Sequence, residues 1–162
     1  MILKGVANCI HTYAGIQLRA ECDRQMRKLR LEYGPDYEQP TAVPMLTDGY
    51  NLPARKVIHI VGPVVSGSLR KEQERALADC YANTLDLCLE NGLRSAAVCC
   101  ISTGVFHFPN REAARIAVQA VTDWLTAHTD ITDSQNSLYS LDRVVFNVFK
   151  DEDKSYYEAE LR

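Results

Sequence analysis

The sequence has 162 residues and a formal net charge of -3, with 46% hydrophobic and 24% charged residues. This length fits one domain with a real core, and the balance of apolar and charged residues excludes a disordered chain. The slight negative charge argues against a general nucleic-acid binder, and no apolar run reaches the ~18 residues of a membrane span.

The six cysteines fit a cytoplasmic protein. None of them forms a C-x-x-C pair, which disfavours a redox or zinc motif. Residues 1–5 are too short for a signal peptide, and thiols stay reduced in the cytoplasm. We therefore expect a cytoplasmic chain in which most cysteines fill the core.

The first half of the chain predicts one helix and two extended segments. Apolar residues at helical spacing predict a helix over residues 13–32. Residues 33–51 form a long irregular segment with an extended piece at residues 43–46, and a loop of this length is often functional. Residues 56–61 are short and β-branched, which predicts a strand.

The second half alternates helices and strands more regularly. Its predicted elements are a helix over 72–90, a strand over 96–101, a helix over 111–125, a loop over 126–141, a strand over 143–149 and a helix over 153–161. This alternation implies a largely parallel sheet with helices on both sides, and the apolar strands suggest that both faces are covered. Ligands bind beyond the carboxyl ends of such strands, so the loops after Val61, Ile101 and Phe149 form the candidate rim.

The segment from Cys99 to Asn110 carries the strongest functional signal. It predicts a buried strand, a glycine-bearing loop and a helix start, with Asn110 as the N-cap. Gly104 permits a backbone turn that other residues resist, and Ser102 and Thr103 add hydroxyl donors. Backbone N–H groups before a helix N-terminus suit a phosphate. From the residues alone, a phosphate loop and an ordinary connecting loop both stay open.

Other candidate side chains have competing structural explanations. His107 could contact phosphate or act as an acid–base group, or be an exposed loop side chain. Phe149 could stack on a flat ring or pack in the core, and residues 151–153 are expected to cap the last helix. His11 and His59 are expected to be structural. The histidines and cysteines show no spacing typical of a tetrahedral metal site.

Five motifs, in the correct order, resemble the macrodomain family. They are NCIHTYAG at 8–15, GYNLP at 49–53, VIHIVGP at 57–63, ISTGVFHFP at 101–109 and FNVFKDED at 146–153. The closest resemblance is to bacterial protein-ADP-ribosyl hydrolases of the branch that carries zinc. It implies a single α/β domain over residues 1–162, a three-layer α/β/α sandwich with a mixed, mostly parallel sheet.

The resemblance implies an ADP-ribose site. Residues 102–106 would wrap the diphosphate and the nearer ribose, Phe149 would lie by the adenosine, and residues 5–9 would be the remnant of a first ligand loop. The residues that the resemblance assigns to ADP-ribose binding are Asn8, Cys9, Ser102, Thr103, Gly104, Val105, Phe106, His107 and Phe149.

Three departures from the family qualify this assignment. The strands and the Asn-Ala-Ala-Asn segment that open a macrodomain do not precede Asn8, so the domain is expected to be N-terminally incomplete and to lack the first strands. Ala7 stands at the position of the family's loop aspartate, which leaves the catalytic residues unassigned. The family's zinc ligands would precede Asn8 and are absent, so neither zinc nor another cofactor is predicted.

The expected function is therefore ADP-ribose recognition, with a leaning towards hydrolysis that removes ADP-ribose from modified proteins. The alternatives are a non-catalytic ADP-ribose binding module and an inactive truncated remnant. The expected partner is ADP-ribose or an ADP-ribosylated protein, with no nucleic acid and no membrane.

Overall fold

Helices and short strands alternate along the chain in a mixed α/β arrangement. The computed structural model describes residues 6–129 and 141–162. Its elements are α1 (Val6–Ala14), α2 (Ile16–Tyr33), β1 (Met45–Asp48), β2 (Lys56–His59), α3 (Lys71–Glu90), β3 (Ser95–Cys99), α4 (Asn110–Thr129), β4 (Arg143–Asn147) and α5 (Asp151–Glu160). Within the described residues, no helix is long and apolar enough to cross a membrane.

The helix predicted over residues 13–32 corresponds to α2, and α1 precedes it and meets it at Gly15. This glycine has φ 87°, a left-handed conformation that glycine adopts without a steric penalty. The Ala14 carbonyl accepts a hydrogen bond from the Asn51 N–H at 3.3 Å. A Cβ at Gly15 would lie 2.7 Å from Asn51 Nδ2. The helix predicted over residues 13–32 is therefore confirmed except at its start, which moves to Ile16 because the chain turns here to pack on a distant segment.

The strands form two separate two-stranded sheets. In the first, β1 and β2 are antiparallel, with Met45 opposite His59. In the second, β3 and β4 are parallel, with Ser95 opposite Arg143. The short connection over residues 49–55 can only join antiparallel strands, whereas α4 provides the crossover that parallel strands need.

A continuous apolar core lies in the second half of the chain. Its largest members come from α3, α4, α5 and the loop after β3: Leu77, Tyr81, Leu85, Phe108, Trp124 and Tyr157. Ala97 and Val145 lie opposite each other in the second sheet and are both exposed. One face of this sheet is therefore buried, in contrast to the cover on both faces that the apolar runs suggest.

Hydrogen bonds connect the elements of the first half. The Glu21 carboxylate accepts hydrogen bonds from the Asp48 N–H at 3.1 Å and from the Tyr50 hydroxyl at 2.7 Å. Burial opposes the charge on Glu21, but these hydrogen bonds outweigh it and lower the pKa of the carboxyl. Gln25 donates to the Leu46 carbonyl at 2.9 Å. Together they attach α2 to β1.

The ends of the last two helices differ slightly from prediction. α4 continues to Thr129, so residues 126–129 are helical and not part of a loop, and residues 130–140 of the predicted loop lie outside the described residues. α5 begins at Asp151, and its N-cap is Lys150 with no side-chain cap hydrogen bond, so the expectation that residues 151–153 cap the helix is wrong; these acidic residues lie in its first turn, where they can interact with the helix dipole. Asn110 is already helical, and its amide donates to the buried Asp153 carboxylate.

Candidate functional site

A groove of about 530 Å³ is lined by residues of both sheets. Its lining residues are Val6, Ala7, Ile10, His11, Val57, Ile58, His59, Ile60, Gly62, Cys99, Cys100, Ile101, Ser102, Thr103, Gly104, Val105, Phe106, Asn147, Phe149, Lys150 and Asp153. The segments after Val61, Ile101 and Phe149 therefore meet at one place, which confirms the predicted rim. Another cavity, of about 430 Å³ between α2 and β1, contains none of the predicted site residues.

The loop after β3 is fixed at its two ends. The Phe108 N–H donates to the Ser102 carbonyl at 3.0 Å, and the Val65 N–H donates to the Phe106 carbonyl at 2.8 Å. Phe108 is 1% exposed and belongs to the core, so it anchors the loop rather than shields a ligand. The loop is thus positioned by hydrogen bonds and packing before any ligand binds.

The middle of this loop leaves its hydrogen-bond donors unused. Within residues 6–129 and 141–162, the N–H groups of residues 102–106 donate to no protein acceptor. The Ser102 hydroxyl is also buried without a hydrogen-bond partner among these residues. Successive free N–H groups form a concavity that suits an anion, and the nearby N-terminus of α4 adds partial positive charge.

Gly104 acts differently from the sequence prediction. The residues with left-handed φ are Ser102, at 64°, and His107, at 55°, at the ends of the loop. Gly104 lies outside the left-handed region, and a Cβ there would meet no protein atom within 4 Å. The prediction that Gly104 makes the turn is wrong, because the tight backbone is at the loop ends. The absence of a side chain at Gly104 leaves open space beside the loop.

Gly62 brings the two sheets together. A Cβ at Gly62 would overlap the side chains of Ile101 and Ser102. Only glycine lets the segment after β2 approach the loop this closely. The width of the groove therefore depends on this position.

The structure places the predicted ligand residues in two groups. Those that line the groove are Ser102, Thr103, Gly104, Val105, Phe106 and Phe149. Asn8, Cys9 and His107 are exposed and lie outside the lining. Asn8 and Cys9 sit within α1 rather than at the end of a loop, while Ala7 beside them does line the groove. Gly5 lies outside the described residues.

Phe149 is 95% exposed, so the explanation of this residue as a core side chain is wrong. It follows β4 at the rim, next to Lys150, which also lines the groove. An exposed ring at the edge of a groove can stack on a flat ligand ring, and the lysine can attract an anion.

Three residues that the sequence analysis did not connect lie together at one side of the groove, namely His11, Cys22 and His59. The Cys22 sulfur is 3.7 Å from His59 Nε2, although the two are 37 residues apart in sequence. The ring centroids of His11 and His59 are 5.8 Å apart. The Thr47 hydroxyl lies 2.9 Å from His59 Nε2, which confirms His59 as a hydrogen-bonded strand residue.

Burial controls the protonation of this cluster. It lowers the pKa of His59 to about 4, with a smaller contribution from the positive charge of His11. Burial, and then the Arg19 guanidinium, also lowers the pKa of His11. Burial raises the pKa of the Cys22 thiol, assisted by the Glu21 carboxylate. At neutral pH, the His59 imidazole is therefore neutral.

Comparison with known proteins identifies relatives along nearly the whole chain. The Macro domain family model matches residues 2–117. A protein-ADP-ribose hydrolase of Treponema medium is 43% identical over 152 residues, which are 94% of this chain and 52% of that protein. ADP-ribose glycohydrolase MACROD1 of Rattus norvegicus is 39% identical over 97% of this chain and 53% of its own length. The chain thus spans about half the length of the curated relatives it matches.

Solved structures agree with these relatives. The Oceanobacillus iheyensis macrodomain with ADP matches with a TM-score of 0.82 and 34% identity, over 98% of this chain and 75% of that one. The Trypanosoma brucei macrodomain in complex with ADP-ribose matches with a TM-score of 0.78 and 34% identity, over 99% of this chain and 58% of that one. The chain has the α/β fold of these proteins, and it belongs to the macrodomain family.

Proposed function

We propose that the groove binds ADP-ribose, with the diphosphate on residues 102–106 and the adenosine beside Phe149. The observation that carries this proposal is the run of unused N–H groups in residues 102–106. Hydrogen bonds to a charged acceptor are roughly twice as strong as neutral ones, so several preset donors favour a diphosphate. Lys150 and the exposed Phe149 ring supply a cation and a stacking surface at the same rim.

We further propose that the protein acts on ADP-ribosylated proteins as a hydrolase. Support comes from the names of its relatives, which are a protein-ADP-ribose hydrolase in Treponema medium and an ADP-ribose glycohydrolase in Rattus norvegicus. The match covers most of this chain, including the segments that line the groove.

A second candidate is ADP-ribose binding without hydrolysis. One observation favours it: Ala7 lines the groove at the position where the family resemblance implies an aspartate. A methyl group can neither orient a water molecule nor accept a proton, and positioned acid–base groups contribute about 10²–10⁴-fold to such reactions. In this case, the groove would recognise modified proteins and leave them intact.

Isothermal calorimetry with ADP-ribose tests the binding site, with Gly104→Val as the decisive variant. Gly104 has open space around it and no left-handed φ, so valine should fold normally. The added side chain would fill the space beside the N–H groups. We expect wild-type protein to bind and Gly104→Val to lose at least about tenfold in affinity, or about 1.4 kcal/mol.

Ser66→Val is the matched control, since it introduces a valine at an exposed loop position outside the groove. It should bind like the wild type. An absence of binding heat at millimolar ADP-ribose, from wild-type protein with a cooperative unfolding transition, would refute the proposed site. Equal affinity of Gly104→Val and wild type would place the ligand elsewhere.

A de-ADP-ribosylation assay on a modified protein separates hydrolysis from binding. Ala7→Asp places a carboxylate at the groove and in the first turn of α1, where the helix dipole tolerates a negative charge. If the missing acid limits turnover, this variant should release ADP-ribose at least about tenfold faster than the wild type. Ala7→Asn, which has the same shape without the charge, is the control and should not gain activity.

The outcomes of that assay differ for each candidate. Release by the wild type supports the hydrolase. Tight binding with no release by either protein supports the non-catalytic module. A folded chain that neither binds nor releases ADP-ribose would contradict both candidates.

We also keep the cytoplasm as the proposed compartment. All six cysteines are free thiols, although Cys99 and Cys100 are neighbours in sequence. Free thiols in this number are typical of a reducing environment.

A further inference from the structure

The cluster of His11, Cys22 and His59 joins three separate elements. His11 is on α1, Cys22 on α2 and His59 at the end of β2. One ligand atom from each residue lies within 4.8 Å of the other two. All three side chains are half-buried, so the cluster is near the surface yet partly shielded from water.

The distances approach those of a tetrahedral metal site. With metal–nitrogen bonds of about 2.0 Å and metal–sulfur bonds of about 2.3 Å, neighbouring donors in a tetrahedron are about 3.3–3.6 Å apart. Cys22 Sγ and His59 Nε2 are 3.7 Å apart. A small rotation of the His11 ring would bring its nitrogen to a similar distance, because it already lies within 4.8 Å of both.

The polar groups of the cluster are not all satisfied by the protein. His11 Nδ1 is buried and has no hydrogen-bond partner among the described residues. Buried polar atoms without a partner are uncommon and call for an explanation, such as an ion or a bound water. A metal ion on His59 Nε2 would replace the hydrogen bond between this nitrogen and the Thr47 hydroxyl, 2.9 Å away, and the freed hydroxyl could orient a water molecule as a fourth ligand.

We propose that His11, Cys22 and His59 bind one divalent transition metal ion, with Zn²⁺ as the preferred ion. Two imidazoles and one thiolate are the nitrogen and sulfur donors that Zn²⁺ favours, and three protein ligands leave a fourth position for water. The ion would tie α1 and α2 to β2 and stabilise the first half of the chain, which lies outside the large apolar core.

This site differs from what the sequence predicts. The expectation of no metal rests on the irregular spacing of the ligands, and positions 11, 22 and 59 form no known motif. His11 and His59 also line the groove, but the metal proposal does not depend on ADP-ribose, since residues 102–106 and Phe149 supply no ligand to the ion. A protein that binds metal but no nucleotide, or the reverse, would separate the two proposals.

Titration of the full chain with Co²⁺ after chelator treatment tests the site, because Co²⁺ reports its ligands by absorption. We expect one Co²⁺ per chain, a thiolate-to-Co²⁺ charge-transfer band and the intense visible bands of four-coordinate cobalt. Cys22→Ser should lose the charge-transfer band, and His59→Gln should weaken the visible bands. Cys9→Ser, which removes the exposed cysteine of α1, is the matched control and should keep both.

A second measurement needs no variant and so does not depend on mutant folding. Zn²⁺ should slow the alkylation of Cys22 at least about tenfold, as read by peptide mapping, while Cys9 reacts at an unchanged rate. Zn²⁺ at 100 times its Kd should raise the Tm of the full chain by about 5 °C. Equal alkylation of Cys22 with and without Zn²⁺, or a charge-transfer band that survives Cys22→Ser, overturns the proposal.

Discussion

The two walls of the groove belong to halves of the chain that are stabilised by different contacts. From Val65 to Tyr157, buried apolar side chains of α3, α4 and α5 form one connected cluster. None of the described residues before Val65 belongs to it. In residues 6–61, hydrogen bonds of Glu21, Gln25 and Thr47 fix the positions of the elements.

This difference affects how firmly each wall is held. Burial of a large apolar side chain stabilises the folded state by about 1.5–3 kcal/mol. A typical hydrogen bond contributes a net stabilisation of only about 1 kcal/mol. The wall formed by residues 102–106 and Phe149 is therefore attached to the more stable half. The wall formed by α1 and β2 is attached to the half that hydrogen bonds and the proposed metal ion stabilise.

Matched leucine truncations would give the largest effects. Leu77 in α3 and Leu18 in α2 are both 0% exposed. We expect Leu77→Ala to lower the free energy of unfolding by about 4 kcal/mol and Leu18→Ala by about 2 kcal/mol, because Leu77 belongs to the large connected core, where many neighbours resist collapse around the cavity, and Leu18 does not. Urea unfolding monitored by circular dichroism measures both. Equal losses would contradict the contrast between the halves.

The second-largest effect should be a loss of stability in acid, which arises in the first half. The unfolded chain protonates His59 near its ordinary pKa of 6.5, but the folded chain only near 4. The contribution of neutral His59 to the free energy of unfolding is therefore complete above pH 6.5. It is lost as the pH drops towards 4, and the loss is about 2 kcal/mol after allowance for partial exposure. His11, Cys22 and Glu21 face this ring.

The measurement is the free energy of unfolding against pH, with chelator present so that metal binding does not contribute. His59→Gln should reduce the slope between pH 6.5 and 4, because it removes the proton uptake of His59 and leaves that of His11. His107→Gln, at an exposed loop position, should keep the wild-type slope. A wild-type slope in His59→Gln would show that another group is responsible.

The smallest effect concerns ligand affinity across the groove. Phe149→Ala should weaken ADP-ribose binding by about tenfold, because stacking of a base on an aromatic ring is worth about 1–3 kcal/mol. Since Phe149 is 95% exposed, its truncation leaves no cavity and should not change the Tm. Ile10→Ala, on the opposite wall, should change the affinity much less. Calorimetry of both variants compares the walls directly.

Sequence periodicity predicted the second half more accurately than the first. The helix expected over residues 72–90 is found at Lys71–Glu90. One face of this helix packs on the large core, so its apolar residues recur at helical spacing and the sequence shows the pattern clearly. The break at Gly15 depends on a left-handed φ and on contact with Asn51, neither of which a local pattern reveals. Boundaries in the first half depend on contacts between distant segments.

The sequence predicted only those parts of the site whose residues are contiguous in the chain. The loop over residues 102–106 was identifiable from a strand, a glycine and a helix start in one stretch. The grouping of His11, Cys22 and His59 was not, because tertiary packing of α1, α2 and β2 brings these residues together. The exposure of Phe149 likewise depends on where the chain passes after β4.

The junction between the halves suggests how the protein could be divided into a sensor. Ser66, Gly67 and Ser68 are exposed, and they lie just beyond the contacts that Gly62 and Val65 make with the loop over residues 102–106. A chain cut at Gly67 would give two fragments, each carrying one wall of the groove. Since neither fragment has the whole groove, a ligand that contacts both walls would favour their reassociation. Reporter domains fused to the fragments would then signal the concentration of that ligand.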